Sequence, residues 1–206
     1  EVRSTPTHAN AGAMPLSQSL DTIGVLARSV ADCALVFGTI AGPDPADPPT
    51  LAGPCGAGWR WTPREDLRGV RIGVAENFGH GDCDGEVAAA YRQSLDALVA
   101  RGATLVDVVF PDPARVQALA MTVLQAEPAA LHRAAIGVRP GEYSPQVLAR
   151  LQSGLGIPAH EYIDALRARS PLLERVEHEV FAHCDALHAP VLTFPVPTRA
   201  ETDVGG

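Results

Sequence analysis

The side chains best suited to chemistry here are histidines, carboxylates and serines, and each arrangement fails a spacing test. His178-Glu179 followed by His183 resembles a metalloprotease helix. Two ligands on one helix face need i and i+4 spacing, but these histidines are five apart and Ala182 holds the ligand position. The segment reads as a solvated helix face. Asp82-Cys83-Asp84-Gly85-Glu86 is acidic enough for calcium. It lacks the third oxygen ligand before the glycine and the glutamate that closes a calcium loop. An acidic helix start is the better reading, because carboxylates favour the positive end of a helix. Gly53, Gly56 and Gly58 could cradle a phosphate, but no strand precedes them and no helix follows promptly.

Serine chemistry meets a similar obstacle. No Gly-x-Ser-x-Gly elbow is present. Ser17 and Ser19 lie in a loop without a paired base, and Ser29 and Ser94 fall at or inside helices. All 16 basic residues are arginines, so the chain has no lysine. Arginine stays protonated, whereas a lysine can be tuned into a general base. No catalytic residue, metal ligand set or cofactor site is therefore assigned.

The elements that would position such groups follow from length and periodicity. A chain of 206 residues can bury a sizeable core, and 46% apolar with 19% charged residues is the balance of a folded protein. The net charge of −8 argues against a broad nucleic-acid or anionic-membrane surface. Cys33, Cys55, Cys83 and Cys184 form no Cys-x-x-Cys pair, and four cysteines in this length do not make a disulfide scaffold. No apolar run reaches the roughly 18 residues of a membrane span, and the polar start is no signal peptide. A cytoplasmic location without membrane attachment is expected.

Residues 1–13 read as irregular, and Leu20 to Gly24 as a tight loop in which Asp21 accepts nearby backbone hydrogens. Ser29 is a plausible N-cap with Asp32 three residues on, followed by an apolar face of Val30, Cys33, Ala34, Phe37, Ile40 and Ala41. This predicts a helix over 30–41, stopped by Gly42 at C′ and Pro43. A Pro- and Gly-rich connection spans 43–66, with Trp59 and Trp61 as anchors. Strand, helix and strand over 67–110 predict a βαβ unit, hence a parallel pair. A helical region over 113–184 and a strand with a Pro-rich exit over 186–206 complete the chain. The expected class is α/β, a mixed, largely parallel sheet flanked by helices in a single partial domain, 1–206.

Pro15-Leu16-Ser17-Gln18-Ser19-Leu20-Asp21-Thr22-Ile23-Gly24, then Ala27-Arg28-Ser29-Val30-Ala31-Asp32-Cys33-Ala34-Leu35, resembles the block that follows the nucleophile in amidase signature hydrolases. Further similar pieces come in order: Ile40 to Asp47, Leu67 to Val74, Asp185 to Pro190 and Pro197 to Gly205. The resemblance implies an incomplete amidase-signature-type fold. It also implies hydrolysis of linear carboxamides by a serine, a bridging serine and a neutral lysine, with loop amides holding the oxyanion. The Ser-Ser-Gly-Gly loop and the lysine have no counterpart in this sequence, and in family terms it starts just after the nucleophile and ends before the final strands. After Pro6-Thr7-His8 the family's Gly-Arg turn is replaced by Ala9-Asn10.

On this reading the chain is a partial amidase, inactive alone, that supplies part of a pocket wall. Asp21 and Thr22 would buttress the nucleophile loop, and Glu127 and His132 would face the pocket. The alternatives are a non-catalytic interaction module and a part like the A subunit of a tRNA-dependent amidotransferase. The implied partners are a small-molecule amide for the intact enzyme and a second copy in a homodimer, with no direct nucleic-acid contact.

Overall fold

The computed structural model describes residues 10, 12–47, 50, 61–79 and 83–198. The readings placed on residues 1–9, on Gly53, Cys55, Gly56, Gly58 and Trp59, on Asp82 and on 199–206 lie outside the described residues. The chain forms two compact units, Glu1–Pro63 and Arg64–Gly206.

The first unit holds one helix among its described residues, α1 (Val30–Ile40). Its start follows from the Ser29 side chain. That hydroxyl oxygen accepts the Asp32 amide at 3.1 Å and its proton goes to the Asp32 carboxylate at 2.8 Å. This departs from a capping box, because the shorter aspartate meets the serine hydroxyl rather than the cap amide. Cys33, Ala34 and Phe37 are half-buried, while Val30 and Ile40, expected on the same inner face, are exposed. Ala41 ends the helix by turning extended, with ψ 132°, and Gly42 follows at φ 157°. Gly42 thus takes the expected C′ position, with a positive φ but outside the left-handed helical region. Trp61, expected as an anchor, is exposed.

The second unit is a three-stranded sheet with helices on it. The strands are β1 (Arg71–Val74), β2 (Thr104–Asp107) and β3 (Ala186–His188), in the order β2-β1-β3 and parallel throughout. Between β1 and β2 runs α2 (Gly85–Ala100), capped by Asp84, whose carboxylate accepts the Glu86 amide at 2.8 Å. Gly102, at φ 99°, makes the left-handed turn out of this helix, a conformation glycine adopts without a Cβ penalty. Arg71 and Asp185 fix the register of β3 against β1. The Asp185 carboxylate accepts from the Arg71 amide at 2.8 Å and from the guanidinium at 2.9 and 3.4 Å. The Asp185 amide donates back to the Arg71 carbonyl at 2.9 Å.

The main core cluster packs around β1 and its continuation. Ala75, Val108, Phe110, Val180 and Cys184 are buried together, with Phe78, Val106, Val116, Val176 and Leu187 against them. Phe78 and Phe110 stack with ring centres 4.2 Å apart. Beyond the strand ends, Asn77 continues the pairing: its side chain donates to the Phe110 carbonyl at 2.7 Å and accepts the Phe110 amide at 3.0 Å. Gly73 is required where Cys184 crosses the strand, because an added Cβ would sit 2.6 Å from the sulfur.

Three helices complete the unit: α3 (Pro113–Val138), α4 (Pro145–Gly154) and α5 (Ala159–Val176). Asp112 caps α3 from the left-handed region, at φ 48°, which a short polar side chain tolerates. A π turn, Glu177–Phe181, continues α5 and buries Val180. The helical region expected to run to 184 therefore leaves α-helical geometry at Val176, where the wider turn begins. Gly154 ends α4 directly on the α3 backbone, where a Cβ would lie 2.1 Å from the Gln125 carbonyl oxygen and 2.7 Å from the Ala129 methyl.

Two measurements check this packing. Gly154→Ala gains helix propensity but must push α4 off α3. The expected outcome is a net loss of about 2 kcal/mol in denaturant unfolding, within the usual cost of overpacking. The second concerns pH. The Arg71 guanidinium and amide hold the Asp185 carboxyl below its ordinary range. A carboxylate with a lowered folded-state pKa adds stability above its unfolded pKa and loses it as pH falls through the folded value. Asp185→Asn should therefore lower the denaturation midpoint at pH 7, and the difference from wild type should close as pH drops below 3.8. Equal midpoints at neutral pH would remove the clamp from the account.

Candidate functional site

The first unit carries an open cavity of about 570 Å³. Its wall is the loop before α1, with Asn10, Met14, Leu16, Gln18, Asp21, Thr22 and Asp47 among the lining residues. The loop keeps its shape through carboxylates. Asp21 Oδ2 accepts the Leu16 amide at 2.7 Å and the Ser17 amide at 3.0 Å. The Asp21 amide donates to the Ser17 carbonyl at 2.8 Å, and Ser17 is buried. Asp21 thus holds Leu16, Ser17 and the cavity rim as one turn. Thr22, next in the chain, donates to the Leu20 carbonyl at 3.4 Å.

A second carboxylate lines the same cavity. Asp47 Oδ2 accepts the Asn10 amide at 2.7 Å. The Asn10 side chain in turn donates to the Asp21 carbonyl at 2.9 Å. Asn10 therefore joins two stretches that lie 11 and 37 residues away in sequence. Its Oδ1 is buried and has no partner among the described residues. Asp47 belongs to a tight Asp44–Asp47 turn, braced by Thr50, whose hydroxyl donates to the Asp47 carbonyl at 2.7 Å. The cavity wall is apolar at Met14, Pro15, Leu16 and Ile23 and carries acceptors at Asp21 and Asp47. It can hold a small organic molecule with an apolar body and hydrogen-bond donors.

Glu127 and His132 lie in the second unit, on α3. The Tyr162 hydroxyl donates to the Glu127 carboxylate at 2.8 Å, tying α3 to α5. That bond, with burial added, pushes the Tyr162 phenol above its ordinary pKa. His132 Nδ1 meets the Tyr143 hydroxyl at 2.9 Å, and the two rings pack edge to face. Each residue is thus held by a tyrosine at the border of the helical layer.

The second unit also contains a pair that spacing does not reveal. Ser94 Oγ and His188 Nε2 are 2.7 Å apart, and the imidazole stacks on the Tyr91 ring. The Ser94 hydroxyl is also within 2.7 Å of the Tyr91 carbonyl, so it has two partners, the carbonyl of its own helix and the imidazole. The Tyr91 hydroxyl donates to the His188 carbonyl at 3.0 Å, and burial raises its pKa. This cluster fastens the end of β3 to α2. A small cleft of about 340 Å³ lies past β2, between Asp107, Val109, Glu179 and His183. Glu179 is paired with Arg175 at 2.8 Å, as suits a solvated helix face. Among the described residues no three His, Cys, Asp or Glu side chains gather as a metal site. No described helix is long and apolar enough to cross a membrane.

Asp21 and Thr22 therefore line a cavity, and Glu127 and His132 occupy helix-to-neighbour contacts in the other unit. Sequence reasoning missed Asn10, Gln18 and Asp47 as cavity residues. The Asp44-Pro45-Ala46-Asp47 turn signal was available for Asp47 alone.

Comparison with known proteins agrees with this geometry. The Amidase family model matches residues 4–204. An amidase of Pseudomonas putida is 34% identical over 196 residues, covering 93% of this chain and 41% of that protein. The A subunit of the glutamyl-tRNA(Gln) amidotransferase from Anaeromyxobacter sp. (strain K) is 45% identical over 101 residues, 48% of this chain and 20% of that protein. A crystal structure of an amidase superposes with a TM-score of 0.73 at 28% identity, covering 94% of this chain and 42% of that one. The chain thus spans about two fifths of the length of the amidases it matches end to end. With its sequence matched from residue 4 to residue 204 and its parallel α/β fold shared with a solved amidase, the chain belongs to the amidase family of amidase signature hydrolases.

Proposed function

We propose that this chain is the supporting part of a carbon–nitrogen hydrolase acting on linear carboxamides, and that the 206 residues alone are inactive. The observation that carries the reading is the Asp21-anchored loop. Its carboxylate is spent on two backbone amides beside a cavity, which suits a wall that supports a reacting group rather than a group that reacts. The serine–serine–lysine mechanism implied by the family needs a neutral lysine as base, and this sequence has none. In the intact enzyme the serine attacks the amide carbonyl, its proton passes by way of the bridging serine to lysine, and loop amides bind the oxyanion.

Within that reading Asp21 and Thr22 form pocket wall and hold the loop beside the nucleophile. Glu127 and His132 serve the substrate pocket of the intact enzyme, and within the second unit Tyr162 and Tyr143 hold their side chains. A cytoplasmic setting and a homodimer fit the same reading. The kinetic test uses a full-length protein that carries the family's serine and lysine. Asp21→Ala should lower kcat/KM about tenfold or more, because the rim loses the acceptor of two amides. Thr22→Ala, Glu127→Ala and His132→Ala should each raise KM several-fold. Full activity in both α3 variants would exclude Glu127 and His132 from the pocket.

A second reading is favoured by one comparison. The 45% identity to an amidotransferase A subunit over 101 residues fits a chain that works in an assembly acting on charged tRNA. Under it, an affinity-tagged full-length protein should co-purify stoichiometrically with a second subunit. Recovery of a lone chain with intrinsic amide hydrolysis supports the carboxamide hydrolase instead.

A further inference from the structure

We draw no further inference here: the strongest candidate, the cavity between the Asn10, Asp21 and Asp47 loops of the first unit, belongs to the site already described, and its unpartnered acceptor, Asn10 Oδ1, is shut away from solvent and so shows no ligand.

Discussion

The second unit depends on a clamp between two residues 114 positions apart. A parallel strand that returns after so long an excursion has no hairpin to set its register. Arg71 and Asp185 supply it, through a forked ion pair and reciprocal backbone hydrogen bonds. The ion pair is exposed, so its worth lies in register more than in gross stability. Because the side-chain period of a strand is two, a slip of one residue would turn Leu187 from the core to the other face. It would also carry Cys184 off Gly73, the only residue type that leaves room for it. The core of Val180, Cys184, Val108 and Phe110 then has one arrangement rather than several.

The acidic residues repeat one physical use. Asp21, Asp47, Asp84 and Asp112 each spend a carboxylate oxygen on backbone amides that a turn or helix start would leave unpaired. Read as chemistry, an acidic chain invites metal and acid–base proposals. Read through its hydrogen bonds, the acid is scaffold. Ser94 and His188 serve the scaffold too: with Tyr91 they fasten the end of β3 to α2. In the first unit two such aspartates line the cavity, and Asn10 bonds to the carboxylate of Asp47 and the backbone carbonyl of Asp21.

What was legible in the sequence was local. Ser29 and Asp32 mark the start of α1, and Gly102 marks the stop of α2, because caps and turns obey short-range rules. The alternation of β1 and β2 around α2 was enough to expect a parallel pair. Asp21 was readable as a turn acceptor for the same reason, and the block from Pro15 to Leu35 was enough to suggest the family. Contacts made by distant residues were not legible. Nothing near Asn10 announces Asp47, and nothing in α2 announces His188. Gly154 reads as a helix stop, while its second reason, the α3 carbonyl pressed against it, exists only in the packed state. The π turn was invisible because it uses the same residue types as the helix it extends.

The central claim is that these residues support an acyl-transfer site without supplying its nucleophile. Labelling of the purified 206-residue chain with an active-site-directed fluorophosphonate, followed by mass spectrometry, tests it most directly. The account predicts no adduct on the isolated chain and a single serine adduct on a full-length protein that carries the family's serine and lysine. A stoichiometric adduct on any serine of this chain, Ser17, Ser19 or Ser94 included, would contradict it.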